Sequence, residues 1–284
     1  MRLNLQYVQS AVNRSWKSMH SVCASRKCHN TMLMRGVPQN RAGIRVGDLW
    51  YCSVDCFAEA AFIEFSAIQE RRVIEMPHNP RLSIGLVLLS KGHLANDELR
   101  LAVEESRQRD EELDFTLLRL GLTNERQLAT ARAAQWGCPV IGQEFATEPL
   151  AVDIPAPLLR TCSAVPLRYS QNGKRLLMGF VFRVEHRLLL ALEHVTGCKT
   201  EPCFITQTEF EDQMAALTVV PDCKAVVHEG ILTSKEMART VATHAVEAGA
   251  RKAIFAECRD YFWTRLIGDR RTVDVLFPTQ NRYN

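Results

Sequence analysis

Apolar residues recur at helical spacing along residues 53–76. Phe57, Ala60, Ala61, Ile63, Phe65, Ile68 and Val73 give one broad face, with Glu59, Glu64, Glu70, Arg71 and Arg72 elsewhere, so the pattern predicts an amphipathic helix. Pro77 and Pro80 end it, because proline lacks the N–H the next turn needs and crowds the carbonyl behind it. Residues 76–81 are therefore the first predicted domain boundary.

The next stretch repeats itself. Copy one reads Ile84-Gly85-Leu86-Val87-Leu88-Leu89-Ser90-Lys91-Gly92-His93-Leu94, then Leu99, Ala102 and Ser106. Copy two reads Leu113-Asp114-Phe115-Thr116-Leu117-Leu118-Arg119-Leu120-Gly121-Leu122-Thr123, then Leu128, Ala131 and Gln135, at a constant offset of 29 residues. Each copy predicts a short helix, a glycine turn and a longer amphipathic helix, and two such hairpins can bury their apolar faces against each other. Asn124 with Gln127 three residues on predicts a capping box.

Further along, Ile154-Pro155 opens a predicted helix, Ala164-Val165-Pro166-Leu167 reads as a strand and Asn172-Gly173-Lys174-Arg175 as a hairpin turn. Ala191 to Gly197 ends a helix and Pro202-Cys203-Phe204-Ile205 is strand-like. Thr233-Ser234-Lys235-Glu236 is a second capping box, leading a helix through Met237, Val241, Ala245 and Val246 that stops at Gly249. Three strand-like runs follow, at 252–258, 261–267 and 271–277, with Gly268-Asp269 as the turn between the last two. The expected class is α/β (α+β), in three parts. These are an N-terminal module and helix (1–76), a helical-hairpin repeat with a small α/β subdomain (81–140 and 150–217, within 81–217), and a C-terminal helix-plus-antiparallel-sheet unit (222–284).

The length of 284 residues suits about two domains, or two and a small module, and apolar (46%) and charged (24%) fractions are those of a globular chain. The longest unbroken apolar run, residues 176–182, is far short of the roughly 20 residues a membrane span needs. The first 20 residues carry no signal-peptide core. These features argue against membrane insertion and classical secretion, and the expected location is the cytoplasm. The net charge of +3 hides an asymmetry: Arg2, Arg14, Lys17, Arg26, Lys27, Arg35, Arg41 and Arg45 lie in the first 47 residues with no acidic partner. Such a block can bind a polyanion, although the simpler reading is a solvated basic module, and nucleic acid is not the expected partner.

Of ten cysteines, four cluster as Cys23-x4-Cys28 and Cys52-x3-Cys56. In a reducing compartment clustered thiols point to metal, and two pairs, the second at a helix start, can close a tetrahedral structural Zn2+ site. Tyr51-Cys52-Ser53 with Cys56 resembles the second ligand pair of treble-clef zinc fingers of the MYND and TRASH types. The first pair is spaced more widely than in those families, which leaves His29 as an alternative ligand to Cys28. Cys198-x4-Cys203 reads instead as an ordinary pair of buried cysteines, because Cys203 falls in a strand.

With Gly92 and Gly121 before the second helices and the exit Ala134-Gln135-Trp136-Gly137-Cys138-Pro139-Val140, residues 81–217 resemble the N-terminal domain of type II secretion and type IV pilus assembly ATPases (the GspE/MshE N-terminal type). The resemblance implies a soluble docking domain whose partners are an inner-membrane platform protein or an ATPase of the secretion or pilus machine. The MshE branch of that family binds cyclic di-GMP through the repeat. The matching positions here are Leu88, Gly92, Leu117, Gly121 and Gln135. Four polar places of the family pattern hold Ser83, Glu112, Ser106 and Gln135, and Asp114 stands where the second copy has its first glycine. Glu112 would oppose a bis-phosphate by direct Coulomb repulsion.

The subdomain departs too, with Met178 to Val184 in place of Ala-x-x-Asp-Pro. The C-terminal segment resembles the start of the ATPases' second domain, except that Arg251-Lys252-Ala253-Ile254-Phe255 replaces Ser-Asp-Ile-His. No G-x4-G-K-[ST] loop occurs, and Gly173-Lys174-Arg175 lacks its first glycine and its hydroxyl. In the family, the motor would begin where this sequence ends. His78, His93, His186, His194, His228 and His244 are isolated in sequence and read as surface or core residues. The expected function is therefore a non-catalytic adaptor or regulator acting through protein contacts. The alternatives are a cyclic di-GMP receptor and a nucleic-acid binder using the basic zinc module.

Overall fold

The structure is a computed structural model that describes residues 20–28, 31–33, 43–71, 82–142, 153–170, 173–218, 225–269 and 271–279. The chain forms two compact units, one made of residues 76–223 and the other of both flanks, 1–75 and 224–284. The class is mixed helix and sheet, as expected.

In the flanking unit, β1 (His20–Val22) pairs antiparallel with β2 (Thr31–Leu33). β3 (Ile44–Val46) and β4 (Leu49–Tyr51) form a hairpin that leads into helix α1 (Val54–Arg71). The remaining elements of this unit come from the other end of the chain: β8 (Ala225–Val227), α9 (Ser234–Ala248), β9 (Ala250–Glu257), β10 (Tyr261–Gly268) and β11 (Thr272–Pro278). Together they make one six-stranded sheet in the order β4-β3-β9-β10-β11-β8.

The expected helix on an antiparallel sheet is present in α9 with β9, β10 and β11. The expectation of a separate N-terminal module and a separate C-terminal domain is corrected. β3 pairs in parallel with β9 at Arg45↔Lys252 and Val46↔Ala253, and α1 packs beside α9. The physical cause is apolar burial. Phe65 of α1 meets Phe255, Phe262 and Phe277 of the sheet edge-on at 5.3, 6.1 and 5.6 Å, and all belong to one core with Met237, Val241 and Ala245. Neither flank can bury its apolar face alone. The Ser234 hydroxyl also donates to Gln69 Oε1, tying the start of α9 to the end of α1. On the other face of the strands, Trp263 Nε1 and the Arg265 guanidinium both donate to the buried Asp274 carboxylate at 2.7–2.8 Å.

The central unit opens with the repeat: α2 (Ile84–Ser90), α3 (Asn96–Arg109), α4 (Leu113–Arg119) and α5 (Glu125–Trp136). Val87, Leu88, Leu94, Ala102, Leu117, Leu128 and Ala131 share its core. Then come α6 (Ala156–Thr161), β5 (Ala164–Ser170), β6 (Arg175–Phe180), α7 (His186–Thr196), β7 (Lys199–Phe204) and α8 (Gln207–Thr218). The sheet runs β5-β6-β7, antiparallel then parallel, and Val140 bridges to Phe204, which ties the end of the repeat to the subdomain. No helix among the described residues is long and apolar enough to cross a membrane.

Candidate functional site: the cysteine cluster and the repeat

Two places in the fold concentrate the chemistry anticipated above. At the first, Ser53 starts α1: its hydroxyl accepts from the Cys56 N–H at 3.2 Å and its carbonyl accepts from the Phe57 N–H at 3.0 Å. Cys56 is thereby held in the first helical turn, with Cys52 just before it. The Cys28 N–H closes a turn on the Ser25 carbonyl, and the Ser25 hydroxyl donates to Glu59 of α1 at 2.7 Å.

The outcome is that the Sγ atoms of Cys23, Cys28, Cys52 and Cys56 all lie within 4.8 Å of one another, with Cys28···Cys52 at 3.5 Å and Cys52···Cys56 at 3.9 Å. Thiolates on a tetrahedral zinc at about 2.3 Å are spaced at roughly 3.8 Å, so the donor set fits such an ion. Burial pushes the Cys23 thiol up, but the backbone N–H groups of Cys52 and Ser25 and the thiols of Cys52 and Cys56 outweigh it and hold Cys23 below the usual thiol range. The wider first pair does not keep Cys28 out of the cluster; His29 lies outside the described residues.

Other cysteines differ in kind. Cys203 is fully buried in β7, where desolvation, with the charges of Cys138 and Glu209, pushes its thiol up to about 12. Cys198 is buried too, and the pair joins no metal-ligating cluster among the described residues. Of the basic block, Arg26, Lys27 and Arg45 are described and exposed; Arg2, Arg14, Lys17, Arg35 and Arg41 lie outside the described residues.

At the second place, the two copies of the repeat close in the same way. Gly92 (φ 70°) and Gly121 (φ 68°) adopt the left-handed conformation that an L side chain resists. Their N–H groups donate to Leu89 and Leu118, and the next residues, His93 and Leu122, donate to Leu88 and Leu117, all at 3.0 Å. Leu88 and Leu117 are fully buried beneath these turns.

Three of the polar positions bond within the chain, while Ser83 and Glu112 are exposed. The Ser106 hydroxyl donates to the Glu111 carbonyl at 2.6 Å, and the Gln135 amide donates to the Leu82 carbonyl. Asp114 pairs with Arg132 of α5, whose other nitrogen donates to the Val181 carbonyl at 2.9 Å and whose guanidinium lies over the Phe182 ring. Arg132 is only 6% exposed and was not anticipated; its signal in the sequence is an aspartate replacing a glycine one copy-length from Gly85. Ser83 and Glu112 precede α2 and α4 without a side-chain cap bond. Among the apolar positions left outside, with Leu101, are Leu86 and Phe115, which occupy the same place in the two copies and are 50% and 44% exposed.

No protein-family profile matches the chain. Residues of the chain are 26% identical over 129 positions to the type IV pilus assembly ATPase PilB of Thermus thermophilus, covering 45% of this chain. The chain spans 14% of that relative's length. A structure of MshE with cyclic di-GMP is similar at 21% identity and a TM-score of 0.39, covering 48% of this chain and 99% of that one. The N-terminal domain of XpsE is similar at 23% identity and a TM-score of 0.36, covering 46% and 91%.

Proposed function

We propose that this protein is a non-catalytic adaptor or regulator that docks, through the helical-hairpin repeat, on an ATPase or an inner-membrane platform protein of a type II secretion or type IV pilus machine in the cytoplasm. The observation that carries this reading is the division of labour in the repeat. Ser106, Asp114 and Gln135 bond within the chain, whereas the equivalent apolar residues Leu86 and Phe115 stay about half exposed, Phe115 with one side of its ring against Phe182. Apolar side chains left out at matching places of two rigid hairpins are what a protein partner can cover. Leu82, 70% exposed just before α2, extends the same apolar character.

The cysteine cluster serves the fold in this reading. Cys23, Cys28, Cys52 and Cys56 would hold a closed structural Zn2+, which would fix the entry to α1 and leave no open coordination position for catalysis. No P-loop occurs in these residues to cradle a nucleoside triphosphate.

The test is a binding titration of the intact chain against purified secretion or pilus ATPase and the cytoplasmic part of the platform protein. Saturable binding, weakened at least tenfold by Leu86→Ser with Phe115→Ser at unchanged melting temperature, is expected. No binding to either, or binding indifferent to both substitutions, overturns the docking role. Retention of DNA or RNA that falls steeply with salt and requires residues 1–80 would transfer the function to the basic segment.

A further inference from the structure

Two histidines that sequence reading treats as isolated meet in the flanking unit. His228 follows β8 and His244 lies in α9, and their Nε2 atoms stand 3.4 Å apart. The Nδ1 of His244 faces the Glu247 carboxylate, one turn further along the helix, at 3.3 Å. His228 is held from behind, its ring stacked on Phe277 at 5.0 Å with 18° between planes. Its backbone N–H donates to the Leu276 carbonyl at 2.9 Å. Both rings are partly exposed, so an ion and its water can reach them.

Two imidazoles facing each other through Nε2 can share one proton or direct both lone pairs at a cation. A proton-sharing pair closes to about 3.0 Å. Two nitrogens each ~2.05 Å from a tetrahedral ion are about 3.35 Å apart, which is the spacing found here. Glu247 favours the second arrangement. A carboxylate accepting from Nδ1–H fixes the tautomer that leaves the Nε2 lone pair free for a cation, as it does behind metal-bound histidines generally.

We infer that His228 and His244 form a second metal site, independent of the four cysteines: an open, two-nitrogen site for a divalent transition ion, with Glu247 positioning His244 and water completing the coordination. Imidazole nitrogen selects Zn2+, Ni2+ or Cu2+ over Mg2+ and Ca2+. With only two protein ligands the ion exchanges, so occupancy follows the supply of free metal, in contrast to a closed thiolate site.

The experiment is a calorimetric Zn2+ titration of the intact chain, read as equivalents bound. The unsubstituted protein is expected to bind one more Zn2+ than His244→Ala or His228→Phe, the latter keeping the aromatic stack on Phe277. Glu247→Gln is expected to retain that equivalent with affinity lowered about tenfold. Circular dichroism melts identify any variant that fails to fold, and the conclusion then rests on the other two. The same number of equivalents in the unsubstituted and histidine-substituted chains, or an affinity untouched by Glu247→Gln, overturns the site.

Discussion

The two copies of the repeat share a backbone and differ in what holds it. In copy one Gly85 lets α2 approach α3 so closely that an added Cβ would lie 2.5 Å from Leu99 Cδ1. In copy two the same place is Asp114, which reaches across to the buried Arg132. Val87 is matched by Thr116, similar in shape, whose hydroxyl donates to Glu111 at 2.8 Å. The second helix of copy one begins at Ala95, where only the Glu98 carboxylate caps the backbone. In copy two Asn124 and Gln127 complete a reciprocal box. The apolar ladder and the turn glycines thus determine the hairpin, and polar residues are free to be recruited for other bonds. Copy one is closed by steric fit and copy two by charge and hydrogen bonds.

The largest expected break in this comparison is Asp114→Ala. It strips the carboxylate from a nearly buried guanidinium, and losing one member of such a pair costs about 3 kcal/mol, read as a lowered denaturation midpoint. Gly85→Ala tests the steric copy. Crowding against Leu99 and Leu113 opposes the helix propensity gained, and overpacking of this kind leaves a net loss of about 1 kcal/mol in the same measurement. Asn124→Ala should cost about 1 kcal/mol, and Ala95→Asn should gain somewhat less by supplying copy one with the missing cap.

Sequence pattern revealed the Asn124–Gln127 cap, both glycine turns and the 29-residue period, because each is local: the residues that make the bond lie within a few positions of one another. The four-cysteine cluster was legible for a related reason, since thiol pairs flanking a turn-rich stretch have little to do apart from meeting. The union of the two flanks was not legible. Ile44–Val46 is a three-residue strand whose partner Lys252 is more than 200 residues away, and nothing in either segment's periodicity names the other. β8 is equally short and pairs in parallel with β11, so it carried no hairpin signal. Arg132 gains its partners only in the fold, which sets Asp114 and the Val181 carbonyl beside it. His228 and His244 are 16 residues apart on different elements, and only the packing of α9 along the sheet joins them.

The smallest effect is on pH dependence, and it comes from the carboxylate that supports copy two. The Thr116 hydroxyl, helped by Arg119 against the opposing effect of burial, holds Glu111 below its ordinary 4.5. Between that lowered value and 4.5 the unfolded chain binds more protons than the folded one, so stability rises with pH through this window. The contribution is complete above 4.5 and is lost as pH falls through the folded value. Glu111→Gln should flatten this part of the acid limb in a series of denaturation curves.

The central claim is that the repeat is a protein-docking scaffold in which Ser106, Asp114 and Gln135 are engaged within the chain. Calorimetric titration of the intact protein with cyclic di-GMP, with GTP as the control, tests it most directly. The account predicts no binding heat from either nucleotide, because the Gln135 amide is committed to the Leu82 carbonyl and the acidic Glu112 stands at the start of α4. Binding of cyclic di-GMP in the micromolar range or tighter, lost in Gln135→Ala, would contradict it and make the repeat a nucleotide receptor.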